Sequence, residues 1–256
     1  MHEKTVLYVE NVTVSFDGFI ALRNLNFYMD EGELRVVIGP NGAGKTTLLD
    51  VICGKVKPIE GRVIFGENDV DITGMAEDEI VKIGIGRKFQ APSVFTNLTL
   101  FENFELSLRK NKGVFPTLFM SKTEKDYEKI FSILETIGLA DKAYEKAGLL
   151  SHGEKQWVEI GMVIAQDPDL LLIDEPVAGM SNKETEKTAE LVQKIAKTHS
   201  ILVIEHDMEF VRQIAHKVTV LHEGMILCEG SMEEVQNDSR VIEKYLGRGE
   251  ITRAKA

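Results

Sequence analysis

Residues 39–47, Gly39-Pro40-Asn41-Gly42-Ala43-Gly44-Lys45-Thr46-Thr47, constrain this chain more than any other stretch. They fit G-x-x-x-x-G-K-[ST], a loop whose backbone cradles phosphates. The flanks agree with it. Leu34-Arg35-Val36-Val37-Ile38 reads as a buried, β-branched strand, and Thr47 to Cys53 reads as a helix ended by Gly54. Strand, Gly-rich turn and helix N-terminus together make an anion site: backbone N–H groups converge, and the helix dipole favours negative charge. Gly42 and Gly44 allow backbone angles that a Cβ would penalise. Lys45 would reach the β- and γ-phosphates, and the Thr46 hydroxyl would ligate Mg²⁺. The fold expected around such a loop is α/β.

Composition narrows what such a chain can do. Its 256 residues can bury a full core, as one large domain or one with a subdomain. The net charge of −11 disfavours nucleic acid or an anionic membrane surface as a direct partner. Two cysteines far apart, Cys53 and Cys228, suggest no disulfide framework and suit a reducing cytosol. The start of the chain has no apolar stretch of the signal-peptide kind. No apolar run approaches the ~20 residues that span a bilayer. Membrane association is therefore expected only through a partner.

Taken in order, the chain opens on two strands, Val6 to Phe16 and Ala21 to Met29, across an Asp17-Gly18 turn. They read as a β-meander feeding the strand before the phosphate loop. Phe16 could stack on a base or be a core residue. Short strands follow at Gly61–Gly66 and Gly84–Phe89, with a helix from Met75 to Ile83 between them, and Gln90 ends the second strand. A polar residue there lies where α/β sheets bind ligands. From Ala91 the texture turns helical, at Leu98–Leu108, Thr123–Gly138 and Ser151–Gln166, with a loop at 110–116 and a short apolar run at 114–120. Tyr127, Ile130, Phe131, Leu134 and Ile137 share one face. This block reads as a helical subdomain inserted into the α/β core. Strands return at Leu170–Glu175 and Ser200–Ile204. Helices are expected at Lys183–Lys197, capped near Ser181 or Asn182, and at Met208–Ala215. A hairpin from Val218 to Cys228 and two short helices precede a polar tail from Arg248.

The chemistry is expected at the strand ends. Leu170-Leu171-Leu172-Ile173-Asp174-Glu175 is an apolar strand ending in two acids, expected beside the phosphate-loop strand. Asp174 would hold Mg²⁺, and Glu175 could polarise a water for in-line attack on a γ-phosphate. His206 ends a second strand and could donate to a γ-phosphate oxygen. Ser151, as an N-cap, and Gly153 open a helix whose N-terminus is a second anion site. If both anion sites grip one triphosphate, the arrangement expected is two chains face to face.

These motifs, in this order and spacing, resemble the ATPase cassette of ABC transporters: the phosphate loop, Gln90, Leu150-Ser151-His152-Gly153, Asp174-Glu175 and His206. The resemblance covers nearly the whole chain. It implies a P-loop NTPase core with an N-terminal antiparallel β subdomain and an inserted helical subdomain. The cassette would run over 1–248, with core segments 1–90 and 168–248, helices at 91–167 and a tail at 249–256. It implies ATP with Mg²⁺ as cofactor, held by Thr46, Gln90 and Asp174. Phe16 would be the base-stacking aromatic, and Gln90, Glu175 and His206 would act at the γ-phosphate. Residues 39–47, Ser151 and Gly153 would bind nucleotide, the last two in trans to a second cassette. Ala178-Gly179-Met180-Ser181 matches the family's D-loop. The implied partners are a second ATPase subunit, two transmembrane permeases and, indirectly, an extracytoplasmic solute-binding protein, with the chain cytoplasmic and peripheral on the membrane. The wording at Gln156–Met162, Pro176–Met180, Glu205–Met208 and Tyr245–Arg248 resembles ATPases of branched-chain-amino-acid-type importers, and within them one of the two urea-importer ATPases. Urea is the solute expected from that likeness, with a branched-chain amino acid as the alternative.

Rival classes fare worse. Soluble ABC proteins of translation or DNA repair usually carry two cassettes or a long coiled-coil insertion, and this chain has neither. A GTPase switch needs Asn-Lys-x-Asp; Asn182-Lys183-Glu184-Thr185 lacks the Asp. The signature departs from the family pattern at His152, for a glycine, and Glu154, for a glutamine. A carboxylate facing a partner's triphosphate would repel it, so Glu154 is expected to weaken pairing unless Lys155 or His152 offsets it.

Overall fold

The structure is a computed structural model and describes residues 4–88, 94–108 and 123–246. Gln90, the apolar run at 114–120 and the tail from 248 lie outside the described residues. Two sheets form. Strands β1 (Thr5–Phe16), β2 (Phe19–Asp30), β4 (Glu60–Phe65) and β5 (Val70–Asp71) make an antiparallel sheet in the order β2-β1-β4-β5. The β1–β2 hairpin turns at Asp17 and Gly18, both at positive φ, as an Asp-Gly turn requires. The meander expected at the start does not continue into the phosphate-loop strand. β3 (Leu34–Ile38) leaves for the second sheet.

That second sheet has the order β10-β9-β3-β8-β7-β6, with β6 (Ile85–Lys88), β7 (Leu170–Asp174), β8 (Ser200–Ile204), β9 (Lys217–His222) and β10 (Met225–Gly230). β9, β3, β8, β7 and β6 run parallel, and β10 closes one edge antiparallel. β7 therefore does not lie beside β3, as its acidic end suggested; β8 is threaded between them. Parallel strands need long crossovers, so sequence neighbours need not be sheet neighbours.

Both faces of this sheet are covered, which is why its strands read as unbroken apolar runs. Alternate residues divide between two cores. Leu34, Val36 and Ile38 face one core with Leu171, Ile173, Ile201 and Val203, under the helices α3 (Leu100–Ser107), α4 (Glu124–Thr136), α5 (His152–Ile164), α6 (Asn182–Ile195) and α7 (Met208–Ile214). Val37, Leu170, Leu172, Leu202 and Ile204 face the other, against the antiparallel sheet, α1 (Lys45–Ile52) and α2 (Glu77–Ile83). Full burial of each such side chain is worth about 1.5–3 kcal/mol, so a one-residue slip of any strand would be costly. Of the α4 face read from sequence, Ile130, Leu134 and Ile137 are buried, and Tyr127 packs on Phe101 with ring centroids 5.0 Å apart.

Arg35 interrupts the apolar run of β3 and is fully buried. Its guanidinium donates to Glu229 at 2.7 Å, Thr219 at 2.8 Å and the Tyr28 carbonyl at 3.2 Å, and pairs with Glu33. A buried charge survives only with such partners, and these come from β2, the turn before β3, β9 and β10. Arg35 thus ties the two sheets together near the start of the strand that leads into the phosphate loop.

Candidate functional site: the phosphate loop and the strand ends around it

α1 begins unlike the other long helices. Its N-cap is Gly44 at φ +101°, with no side-chain cap and no acid in its first turn. A Cβ at Gly44 would come within 2.6 Å of the Ala21 carbonyl oxygen, so both the angle and the room require glycine. By contrast α3, α4, α5 and α6 start on Thr99, Thr123, Ser151 and Ser181, each in a capping box. The first N–H groups of α1 therefore lack the usual side-chain partner. Lys45 adds a buried cation at the same end and donates to the carbonyls of Gly39, at 2.7 Å, and Pro40, at 3.1 Å. Burial pushes its pKa down, against the carboxylates of Glu175, Asp174 and Glu205. A cation at a helix N-terminus opposes the dipole, so this end is built for a strongly anionic ligand.

The loop lines a cleft of 290 Å³ with Phe16, Phe19, Ala21, Thr46, Thr47 and Glu175. Asn41, Gly42, Ala43, Gly44 and Lys45 complete its wall. Phe16 and Phe19 face each other across the hairpin end and are well exposed, so Phe16 is not a core residue. A larger cleft of 960 Å³ lies at the other ends of the strands, around Gly32, Asp169 and Ser200. It holds none of the candidate residues, and open α/β sheets bind ligands at the carboxyl ends of their strands.

Register brings the acids and the histidine together. β7 and β8 pair in parallel with Asp174 opposite Ile204, so the residues that follow each strand emerge side by side. Glu175 donates its N–H to the Ile204 carbonyl at 3.0 Å and sits at φ +46°. That conformation costs a non-glycine residue of order 1–3 kcal/mol and is found where geometry serves function. His206 Nδ1 lies 3.5 Å from Glu175 Oε1 and 3.7 Å from Glu205 Oε2. Asp174 is buried, and its Oδ1 has no hydrogen-bond partner among the described residues. Burial pushes its pKa up, Arg87 opposes this, and Glu175 adds to it. An orphaned carboxylate oxygen next in sequence to Glu175, which lines the Thr46 cleft, fits a divalent cation held by one carboxylate, a hydroxyl and phosphate oxygens.

Ser151 is the N-cap of α5, accepting from the Glu154 N–H at 3.2 Å. Ser151 and Gly153 do not line the cleft of their own chain. His152 Nε2 lies 3.2 Å from the Ala178 carbonyl oxygen, which joins the start of α5 to the turn after β7. Glu154 differs from its sequence expectation. Its carboxylate pairs with Lys142 at 2.7 Å and accepts from the Ser151 N–H at 2.9 Å. Burial alone would raise its pKa; Lys142 and Ser151 outweigh that and hold it low. The charge is compensated by Lys142, not by Lys155 or His152.

The chain matches the ABC transporter family over residues 22–178. It belongs to that family. It is an ATPase cassette, and ATP is its nucleotide. It is similar to the high-affinity branched-chain amino acid transport ATP-binding protein LivG of Salmonella typhimurium, 33% identical over 94% of this chain and 98% of that one. The solved ADP conformation of MJ1267, an ABC transporter cassette, superposes with a TM-score of 0.82 at 34% identity, over 95% of this chain and 99% of that one. The dimeric MJ0796 cassette bound to ADP and phosphate does so at 0.74 and 28%, over 88% and 98%.

Two groups in the cassette's site were missed from sequence. Glu205 is fully buried and accepts from the N–H groups of His206 at 2.7 Å, Asp207 at 3.0 Å and Val177 at 3.4 Å. Burial raises its pKa, and those N–H groups oppose the rise. It fixes the turn that carries His206; an acid directly after an apolar strand was the signal. Arg87 donates to Asp50 at 2.6 Å and to Asp174 at 3.4 Å, so it links α1 to the acidic strand end. Nothing in the sequence pattern pointed to it.

Proposed function

We propose that this chain hydrolyses ATP as one half of a cassette pair that drives a branched-chain amino acid importer. The observation that carries the chemistry is the placing of Glu175 on the wall of the phosphate-loop cleft, 3.5 Å from His206. In this reading the α1 N-terminus and Lys45 bind the β- and γ-phosphates, and Phe16 stacks on the base. Glu175 accepts the proton of a water attacking in line, and His206 donates to a γ-phosphate oxygen. Thr46 and Asp174 hold Mg²⁺, with Gln90 joining them; when bound, the ion neutralises charge on the phosphate oxygens. Ser151 and Gly153 serve the nucleotide of the opposite cassette, the second ATPase subunit. The segments 1–90 and 168–248 act as the nucleotide-binding core, and the helices within 91–167 as the part that meets two transmembrane permeases.

Among the described residues, no helix is long and apolar enough to cross a membrane. A cytoplasmic subunit docked on the membrane through its permeases follows from the reading. For the solute, the likeness to LivG favours a branched-chain amino acid over the urea suggested by short stretches of wording. The test has two parts. Glu175→Gln should retain MgATP binding while hydrolysis falls by about 10²–10⁴-fold; wild-type turnover would remove Glu175 from this role. Vesicles carrying the chain with its permeases and binding protein should take up leucine on ATP addition. Uptake of urea without leucine would overturn the choice of solute.

A further inference from the structure

We propose that Glu184 is an internal occupant of the α5 N-terminus, holding in the single cassette the donors that a partner's triphosphate must take. The inference rests on the paired-cassette reading above. In α5 the Ser151 hydroxyl already accepts from Glu154, the third helical residue, which leaves the N–H of Gly153 among the orphan donors of the first turn. The Glu184 carboxylate sits there. The Ser151 hydroxyl donates to Glu184 Oε1 at 3.4 Å. A Cβ on Gly153 would come 2.6 Å from the same oxygen, so the absence of a side chain at 153 is what lets the carboxylate approach.

Glu184 does not arrive there by chance. It is the third residue of α6, and its other oxygen accepts from the Ser181 N–H at 3.0 Å and the Ser181 hydroxyl at 2.7 Å. The backbone and side chain of Ser181, with Ser151 and the Gly153 backbone, hold its pKa below the usual glutamate value, so the group is anionic at neutral pH. His152 fastens the same turn to the Ala178 carbonyl. A phosphate and a carboxylate ask for the same donors, and two anions in contact repel. Glu184 must therefore swing aside before a partner's nucleotide can seat on Ser151 and Gly153. It is only half buried, so a side-chain rotation suffices.

Glu184→Gln separates this role from helix capping, because glutamine keeps the capping box and loses the charge. Glu184→Asp keeps the charge and still caps, as Asp126 does in α4, but shortens the reach. The full chain is compared with both variants in the Glu175→Gln background, which suppresses hydrolysis. The readouts are amide hydrogen exchange at Gly153 without nucleotide and the MgATP concentration for half-maximal self-association. Both variants should exchange faster at Gly153 and pair at about 2–5-fold less MgATP, the range an exposed ionic contact supports. Unchanged exchange would overturn the internal contact. Faster exchange with an unchanged MgATP requirement would overturn the competition. Failure of the ATPase reading shows separately, as no binding of MgATP to the phosphate loop by any of the three proteins.

Discussion

Two helix N-termini in this molecule look alike in sequence and differ in state. Both follow a Gly-containing turn, and both read as anion sites. α1 starts on Gly44, has no capping side chain, no acid in its first turn and a buried lysine as its first residue. α5 starts on Ser151, is closed by Glu154 in a capping box, and holds the Glu184 carboxylate at its open donors. The difference teaches how electrostatics sorts two similar motifs. An N-terminus with no capping side chain, no acid in its first turn and a cation added gains from a ligand that brings negative charge. One already supplied with carboxylates is stable alone and must be opened before it can serve. In the proposed reading the phosphate loop serves one chain's own nucleotide, and the second site waits for a pairing event.

Removing the cation from the first of these is the severest way to break the contrast. In the proposed reading Lys45→Ala deletes a charge-assisted contact to the triphosphate, worth about 1.5–3 kcal/mol. Nucleotide affinity should fall by roughly 10–100-fold. A filter or fluorescence binding titration checks this, and wild-type affinity would mean that the loop backbone alone sets the site's strength.

The smallest expected effect sharpens the contrast at the other helix. Glu154→Gln keeps the capping box and loses the ion pair with Lys142, a partly exposed contact worth about 0.2–1 kcal/mol. The folded-state pKa of Glu154 lies below its unfolded value, so its stabilisation is present above about pH 4.3 and is lost as pH falls through the depressed folded value. Thermal melts of wild type and variant should differ slightly at pH 7 and converge in acid. A gap that widens as pH falls would contradict the assignment of Lys142 as the partner.

Local features of the fold and site were legible because they depend on neighbours in sequence. The run Leu170–Asp174, the Asp17-Gly18 turn and the caps at Ser151 and Ser181 all follow from residues within a few positions. What stayed hidden depends on pairing across the chain. β8 lies between β3 and β7, which no local pattern states. Arg87 reaches Asp50 and Asp174 only because β6 is laid beside β7. Lys142 precedes Glu154 by twelve residues and meets it through two short 3-10 turns, at Ala140–Lys142 and Ala147–Leu149, that carry no periodic signal. Nothing local to Glu184 marks its contact with Ser151, which spans 33 positions.

The contrast between the two helix ends can be read in one titration. MgATP is added to the isolated chain carrying Glu175→Gln, below the concentration at which chains pair, while backbone amide chemical shifts are followed. The amides of Gly42, Gly44, Lys45 and Thr46 should move in a saturable way, and those of His152 and Gly153 should stay in place. Equal movement at both helix ends, or none at residues 42–46, would contradict the account.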